Sequence, residues 1–162
     1  MQDLLPIAER IGALLKSRGE TVAVSESSTG GLMSAALLSV PGASAYYLGG
    51  AVVYTQKARR VLIDLSDEAI VEARAQKPLS EPFVRLLGQT LRTQFSSTWA
   101  LAEIGATGPA GSRYGDPAGT SCIALVGPVE RSLTVQTGHD DRVANMRAFA
   151  KAGLELLLQN LA

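Results

Sequence analysis

Strand-like and helix-like segments alternate along this chain, and that alternation restricts the possible folds more than any other feature. Apolar residues recur at helical spacing over residues 3–18, and the next run, TVAVSE at 21–26, is apolar and β-branched like a buried strand. Chains of this kind form a largely parallel sheet covered by helices. We therefore predict an α/β fold, a three-layer α/β/α sandwich around a mixed, mostly parallel sheet.

The rest of the chain continues the pattern. The other predicted elements are a helix within 29–38, a strand at 47–54, a short basic helix at 55–62, helices capped by Ser66 and Ser80, strands at 98–104, 120–127 and 131–138, and a last helix capped by Asp140 or Asp141. The two strands before the last helix follow each other through Pro128 and should pair antiparallel, which makes the sheet mixed.

Composition excludes several classes of protein. The 162 residues, 17.0 kDa, are predicted to form one domain over 1–162, and fifteen basic residues balance fifteen acidic ones. That balance argues against non-specific binding to nucleic acid or to an anionic membrane. A single cysteine, Cys122, excludes an internal disulfide and a zinc site built mainly on thiolates. The chain also has a single histidine, His139. No metal is expected, and without a leader-like or membrane-length apolar run we expect a cytoplasmic protein.

The segment SESSTGG at 25–31 follows a predicted strand and precedes a predicted helix. Unpartnered backbone N–H groups and the helix dipole make such a junction suitable for a phosphate, and Gly30 and Gly31 would allow close approach. The alternative is an N-cap cluster whose glycines serve tight packing. The pattern alone favours neither interpretation.

A nucleophile and its activating groups can be drawn from the segment that follows. Ser44 could attack an amide carbon, Lys57 could act as its base if burial lowered its pKa, and Tyr54 could relay the proton. In the structural alternative, Ser44 caps a turn, Tyr54 is a core residue and Lys57 is solvated. Spacing alone favours the structural alternative.

Two later segments add candidates for ligand binding. The loop GATGPAGSRYGDPAGT at 105–120 follows a predicted strand, where α/β proteins commonly bind ligands. Arg142 and Arg147, near the start of the last helix, could hold an anion through forked hydrogen bonds. His139 beside two acids is a turn residue more readily than a metal ligand.

These motifs, in this order, resemble the CinA C-terminal domain family over about residues 3 to 160. The matching segments are ESSTGG (26–31, family ESCTGG), VPGASAYYLGGAVVYTQKAR (40–59), LSE (79–81), GATGPAG (105–111), DPAGT (116–120) and Arg142, which matches the arginine of a GDR motif. The chain departs from the family pattern at Ser28, Ile104 and Asp116, where cysteine, threonine and lysine are usual.

The resemblance implies an amidohydrolase that converts nicotinamide mononucleotide to nicotinate mononucleotide and ammonia, without a cofactor. By similarity the catalytic residues would be Ser44, Tyr54 and Lys57. The substrate-binding residues would be Glu26, Ser27, Ser28, Thr29, Gly30, Gly31, Gly105, Thr107, Gly108 and Arg142.

Two other functions stay open. One is a nucleotide-binding or regulatory protein without efficient turnover, which the departures at Ile104 and Asp116 motivate. The other is a structural partner in DNA uptake or repair, for which the neutral charge gives no support. The resemblance also makes a homo-oligomer an expected state.

Overall fold

The computed structural model describes all residues from 1 to 162 and contains six α-helices and five β-strands. In chain order they are α1 (Leu5–Arg18), β1 (Val22–Glu26), α2 (Leu32–Leu38), a 3-10 helix (Ala43–Ala45), β2 (Tyr47–Val52), α3 (Gln56–Ile63), α4 (Asp67–Glu72), α5 (Glu81–Phe95), β3 (Trp99–Ala106), β4 (Thr120–Val126), β5 (Glu130–Gln136) and α6 (Arg142–Leu161).

The five strands form one sheet in the order β2-β1-β3-β4-β5. β1 pairs parallel with both β2 and β3, whereas β4 pairs antiparallel with β3 and with β5. Only β4 therefore runs against the other strands, which confirms the mixed sheet and the predicted hairpin. Because β1, β2 and β3 are parallel, they all end on one side, which we call the carboxyl end of the sheet.

Helices cover both faces of the sheet, which confirms the three-layer sandwich. The first face packs against α1, α2 and α6, through side chains such as Leu15, Met33 and Leu154. The second face packs against α3, α4 and α5, with Phe83 and Leu87 of α5 at its centre. The three central strands, β1, β3 and β4, are almost fully buried between these layers, as their apolar runs predict.

Three predicted helix caps are confirmed, and one predicted helix start is wrong. The side chains of Ser66, Ser80 and Asp141 accept hydrogen bonds from backbone N–H groups in the first turns of α4, α5 and α6. Helix α2 begins at Leu32, not at 29, because Gly30 and Gly31 have φ angles of 64° and 97° that end the preceding turn.

No helix of the structure combines the length and the apolar character needed to cross a membrane. The longest, α6, has 20 residues and carries three basic side chains and one glutamate.

Candidate functional site

Most of the predicted site residues meet at the carboxyl end of the sheet. The turn at 26–31 follows β1, Tyr54 follows β2, and 105–108 lie at the end of β3. Arg142 joins them, because it donates to the Gly108 carbonyl (2.8 Å) and to the Tyr54 hydroxyl (3.2 Å). Motifs far apart in the sequence therefore converge on one region.

A cavity of about 210 Å³, the inner cavity, opens between these segments. Its lining includes Ser27, Tyr54, Arg59, Ile104, Arg113 and Tyr114. A second cavity of about 330 Å³, the outer cavity, adjoins it over α3 and α4. Arg59, Pro78, Arg113 and Tyr114 line both cavities, so the two form one cleft.

Ser44 lies outside this cleft. It is an exposed residue of the 3-10 helix before β2, whereas Tyr54 comes after β2 has ended. At the usual rise of a strand, the six residues of β2 separate its ends by about 17 Å. The structure of the single chain therefore does not bring Ser44 together with Tyr54, and the predicted catalytic set of Ser44, Tyr54 and Lys57 stays a prediction.

Lys57 does not occupy the cleft either. It is exposed in the first turn of α3, forms no ion pair and lines neither cavity. The cation inside the cleft is Arg59, two residues later, half-buried and 5.0 Å from the centre of the Phe83 ring. Burial lowers the pKa of Arg59, and the neighbouring Arg113 lowers it further. A guanidinium nevertheless stays charged in proteins, so Arg59 binds anions and cannot take a proton from a serine.

The predicted phosphate cradle at the start of α2 is filled by the chain itself. The buried Glu26 carboxylate accepts hydrogen bonds from the backbone N–H groups of Gly31 (2.9 Å), Met33 (3.1 Å) and Ser34 (2.8 Å). These are the unpaired donors that an anion at a helix N-terminus would use. In this structure the donors of the turn are thus used by Glu26, and neither the phosphate interpretation nor the predicted N-cap cluster describes it, because the N-cap residue is Gly31 and no side chain at that position caps the helix.

Glu103 of β3 organises the same turn from the other side, and the sequence interpretation missed it. Its fully buried carboxyl group accepts from the backbone N–H groups of Ser27 (3.0 Å) and Thr29 (3.1 Å), and from the Ser28 hydroxyl. A signal was present, since Glu103 is the only charged residue in TWALAEIGA. A carboxyl group in an apolar strand needs nearby donors.

Burial raises the pKa of Glu103, although hydrogen bonds from Ser28, Thr29, Ser27 and Ser121 oppose the shift. The Thr29 hydroxyl lies 2.8 Å from Glu26 and 3.1 Å from Glu103 and can donate its single proton to only one of them. A proton held on Glu103 removes this conflict, because Glu103 can then donate to Thr29 while Thr29 donates to Glu26.

The loop from 107 to 119 is held in place by buried polar contacts. Asn145 is fully buried and donates to the carbonyls of Thr107 (2.8 Å) and His139 (2.9 Å). Asp116, which inverts a charge relative to the family pattern, is neutralised by Lys77 at 2.6 Å. Burial would raise the pKa of Asp116, but the hydrogen bonds from Lys77 and Ser112 outweigh it and hold that pKa below its usual value. The ordered loop presents Arg113 and Tyr114 to the cleft.

The remaining sequence candidates lie elsewhere. Arg147 pairs with Asp3 at 3.0 Å and does not reach the cleft. His139 is exposed, and no group of three or more His, Cys, Asp or Glu side chains is arranged to hold a metal ion.

The cleft can therefore bind an anion and a planar group. Arg59 and Arg113 supply positive charge, and Tyr54 and Tyr114 supply aromatic surface. Ser27 is one of the residues that line the inner cavity, and although its backbone N–H is used by Glu103, its hydroxyl has no hydrogen-bond partner in the chain. No carboxylate, histidine or lysine lines the inner cavity to serve as a base.

Comparison with known proteins places the chain in a family. The family model described as the CinA C-terminal domain matches residues 4–161. Among curated relatives, a CinA-like protein of Gloeobacter violaceus is 37% identical over 83% of this chain and 32% of its own length. A CinA-like protein of Desulfosudis oleivorans is 37% identical over 97% of this chain and 38% of its own length. The chain thus spans about a third of the length of these relatives.

Solved structures agree. A competence-damaged protein (CinA) superfamily protein from Klebsiella pneumoniae superposes with a TM-score of 0.88 at 24% identity, over 98% of this chain and 97% of the other. A competence/damage inducible protein from Agrobacterium tumefaciens superposes with a TM-score of 0.84 at 26% identity, over 97% and 94% of the two chains. The shared fold and the family match over almost the whole length lead to one conclusion: the chain belongs to the CinA C-terminal domain family.

Proposed function

We propose that this chain binds a pyridine nucleotide, with nicotinamide mononucleotide as the reference ligand, in the cleft at the carboxyl end of the sheet. The observation that carries the proposal is the pair of arginines, Arg59 and Arg113, beside Tyr54 and Tyr114 in a cleft whose inner cavity is lined by no carboxylate, histidine or lysine. The family resemblance supplies the pyridine nucleotide as the ligand class, and the side chains of the cleft supply the reason for binding without efficient turnover.

The dimensions of the cleft support a nucleotide. Ligand sites commonly enclose about 300 to 1,000 Å³, and the inner cavity alone, at about 210 Å³, falls below that range. Together with the adjoining outer cavity of about 330 Å³ it falls within the range. The shared arginines lie between the two cavities, where a phosphate would meet both, and the tyrosines could stack on a planar ring.

Isothermal titration calorimetry with nicotinamide mononucleotide tests the proposal. Arg59→Gln should weaken binding about 10- to 100-fold, because a charge-assisted hydrogen bond contributes roughly 1.5–3 kcal/mol. Arg131→Gln, an equal loss of charge on the exposed edge strand β5, is the matched control and should bind like the wild type. Equal affinity for nicotinamide riboside, which lacks the phosphate, would contradict the role of the arginines.

A second candidate function is hydrolysis of the carboxamide of the same nucleotide, and a specific observation favours it. Ser27 lines the inner cavity and its hydroxyl has no hydrogen-bond partner in the chain, and the backbone N–H of Ser28 donates to no group of the chain. A free hydroxyl beside a free N–H provides a nucleophile and a donor for an oxyanion. Attack by Ser27 would release ammonia and leave an acyl ester for water to cleave.

Ammonia release from nicotinamide mononucleotide separates the two functions. Because no carboxylate, histidine or lysine lines the inner cavity, we expect ammonia to be released far more slowly than the nucleotide binds. Ser27→Ala should abolish any ammonia release and should keep the wild-type affinity for the nucleotide. Fast turnover by the wild type would instead establish the chain as an amidohydrolase.

A further inference from the structure

The tip of the loop between β3 and β4, residues 109–118, is held in shape by its own hydrogen bonds. The Ser112 hydroxyl donates to the Asp116 carboxylate (2.7 Å) and accepts from the backbone N–H groups of Tyr114 and Asp116, each at 3.1 Å. The Ser112 backbone N–H also donates to the Asp116 carbonyl at 2.8 Å. Residues 112–116 therefore form a closed turn, and this turn carries Arg113 and Tyr114.

A single polar contact joins the loop tip to the rest of the chain. The Lys77 ammonium group donates to the Asp116 carboxylate at 2.6 Å, and no other hydrogen bond or ion pair links residues 109–118 to residues outside them. The Asp116 side chain is only 11% exposed, although that of Lys77 is 54% exposed. Solvent and salt therefore screen this pair less than a pair of two exposed side chains.

The ion pair connects two segments that together line the cleft. Lys77 lies between α4 and α5, and the next residue, Pro78, lines both the inner and the outer cavity. Arg113 and Tyr114 of the loop tip line both cavities as well. The contact between Lys77 and Asp116 therefore sets how these two segments lie relative to each other.

The position of Arg113 depends on the loop backbone, because its side chain is not anchored elsewhere. Arg113 forms no hydrogen bond or ion pair, and the aromatic ring near its guanidinium group, that of Tyr114 at 5.5 Å, belongs to the same turn. Arg113 is also close enough to Arg59 to lower the pKa of Arg59. Two guanidinium groups repel each other, so the loop tip stays beside Arg59 only if another contact holds it there.

We propose that Lys77 and Asp116 are positioning residues, whose ion pair holds Arg113 beside Arg59 before a phosphate group binds. A lysine at position 116, as in the usual family pattern, would repel Lys77 where Asp116 attracts it. The role of the ion pair in holding the loop tip is argued from the contacts of the loop alone. Its effect on ligand affinity rests on the proposed function.

Isothermal titration calorimetry with nicotinamide mononucleotide tests the positioning role. Lys77→Met removes the charge, and binding should weaken about 3- to 10-fold because the ligand must then also order the loop tip. Lys77→Arg keeps the charge and should bind like the wild type. Lys151→Met is the matched control, since it removes a similarly exposed lysine from an ion pair with Glu155 on α6, and it should also bind like the wild type. Wild-type affinity of Lys77→Met would overturn the proposal.

A double-mutant cycle separates positioning from direct contact between Lys77 and the ligand. If Lys77 acts through Arg113, then Lys77→Met should change the affinity by less than about 2-fold in an Arg113→Gln background. If Lys77→Met costs as much in that background as in the wild type, Lys77 acts without Arg113 and the positioning role is overturned.

Hydrogen–deuterium exchange of the ligand-free protein tests the ion pair without the nucleotide. The backbone amides of the loop tip should exchange faster in Lys77→Met than in the wild type, whereas those of β3 and β4 should keep their rates. Lys151→Met should leave the exchange of the loop tip unchanged. Equal exchange of the loop tip in Lys77→Met and the wild type would overturn the proposal. If the loop tip exchanges faster but the wild type does not bind the nucleotide, the ion pair holds the loop as argued and the proposed function fails.

Discussion

The two edge strands of the sheet, β5 and β2, differ in whether their side chains make polar contacts with the rest of the chain. On β5, Ser132 and Glu130 contact side chains of α5: Ser132 donates to Glu81 and accepts from Arg85, each at 2.6 Å, and Glu130 lies 3.6 Å from Arg85. On β2 the outward side chains are apolar and uncharged, and they include no partner of this kind. The chain therefore satisfies one edge with its own polar groups and leaves the other edge able to accept a strand.

The largest expected effect comes from filling the space at a β2 glycine. A Cβ atom at Gly50 would lie 2.5 Å from the Val24 carbonyl oxygen, so Gly50→Ala must displace β2 from β1. We expect a loss of about 1–3 kcal/mol in the free energy of unfolding, as for other overpacked sites. Urea denaturation followed by circular dichroism measures this loss.

The corresponding position on β5 provides the control. Gln136→Ala removes an exposed side chain and should change the free energy of unfolding by less than about 0.5 kcal/mol. If the two substitutions cost the same, the edges do not differ as described.

The dependence of stability on pH tests the buried centre of the sheet, where Glu103 lies on β3. Folding raises the pKa of Glu103 above its ordinary value of 4.5, so the folded protein holds this proton more tightly than the unfolded chain does. The resulting stabilisation is fully present below about pH 4.5 and is lost as pH rises through the raised pKa. Relative to Glu103→Gln, the wild type should therefore lose stability with rising pH. Urea denaturation of both proteins at a series of pH values measures this, and a stability difference that does not change with pH would contradict it.

The smallest effect is expected on the polar edge. Arg85→Gln removes contacts with Ser132, Glu81 and Glu130 that are partly exposed to solvent. Such pairs contribute about 0–1 kcal/mol each, so the free energy of unfolding should fall by no more than about 1 kcal/mol. Urea denaturation measures this, and a loss well above about 1 kcal/mol would contradict the weak contribution expected of partly exposed pairs.

Much of the fold could be predicted from the sequence, because it depends on local patterns. The apolar runs predicted the strands. The residues that predicted the starts of α4, α5 and α6 were Ser66, Ser80 and Asp141, because each side chain accepts from a backbone N–H group three positions later. The start of α2 was misplaced because Gly30 and Gly31 look like helix-packing residues until their positive φ angles are seen.

The site was less predictable, because its contacts join distant parts of the chain. The motifs named in the sequence include Ser27, Tyr54, Gly105 and Arg142, and these four residues lie at one end of the sheet. The sequence analysis names Lys57 because it follows Tyr54 closely. That spacing does not show which side of α3 faces the cleft, and Arg59 is the residue that lines it. The filling of the α2 N-terminus by Glu26 likewise depends on a side-chain direction that the pattern does not contain.

The central claim is that the ligand site lies at the carboxyl end of the sheet, in the cleft that Arg59 and Arg113 line. A crystal structure of the chain grown with nicotinamide mononucleotide tests it most directly. The account predicts the phosphate within hydrogen-bond distance of Arg59 and Arg113. A nucleotide bound away from these arginines would contradict it.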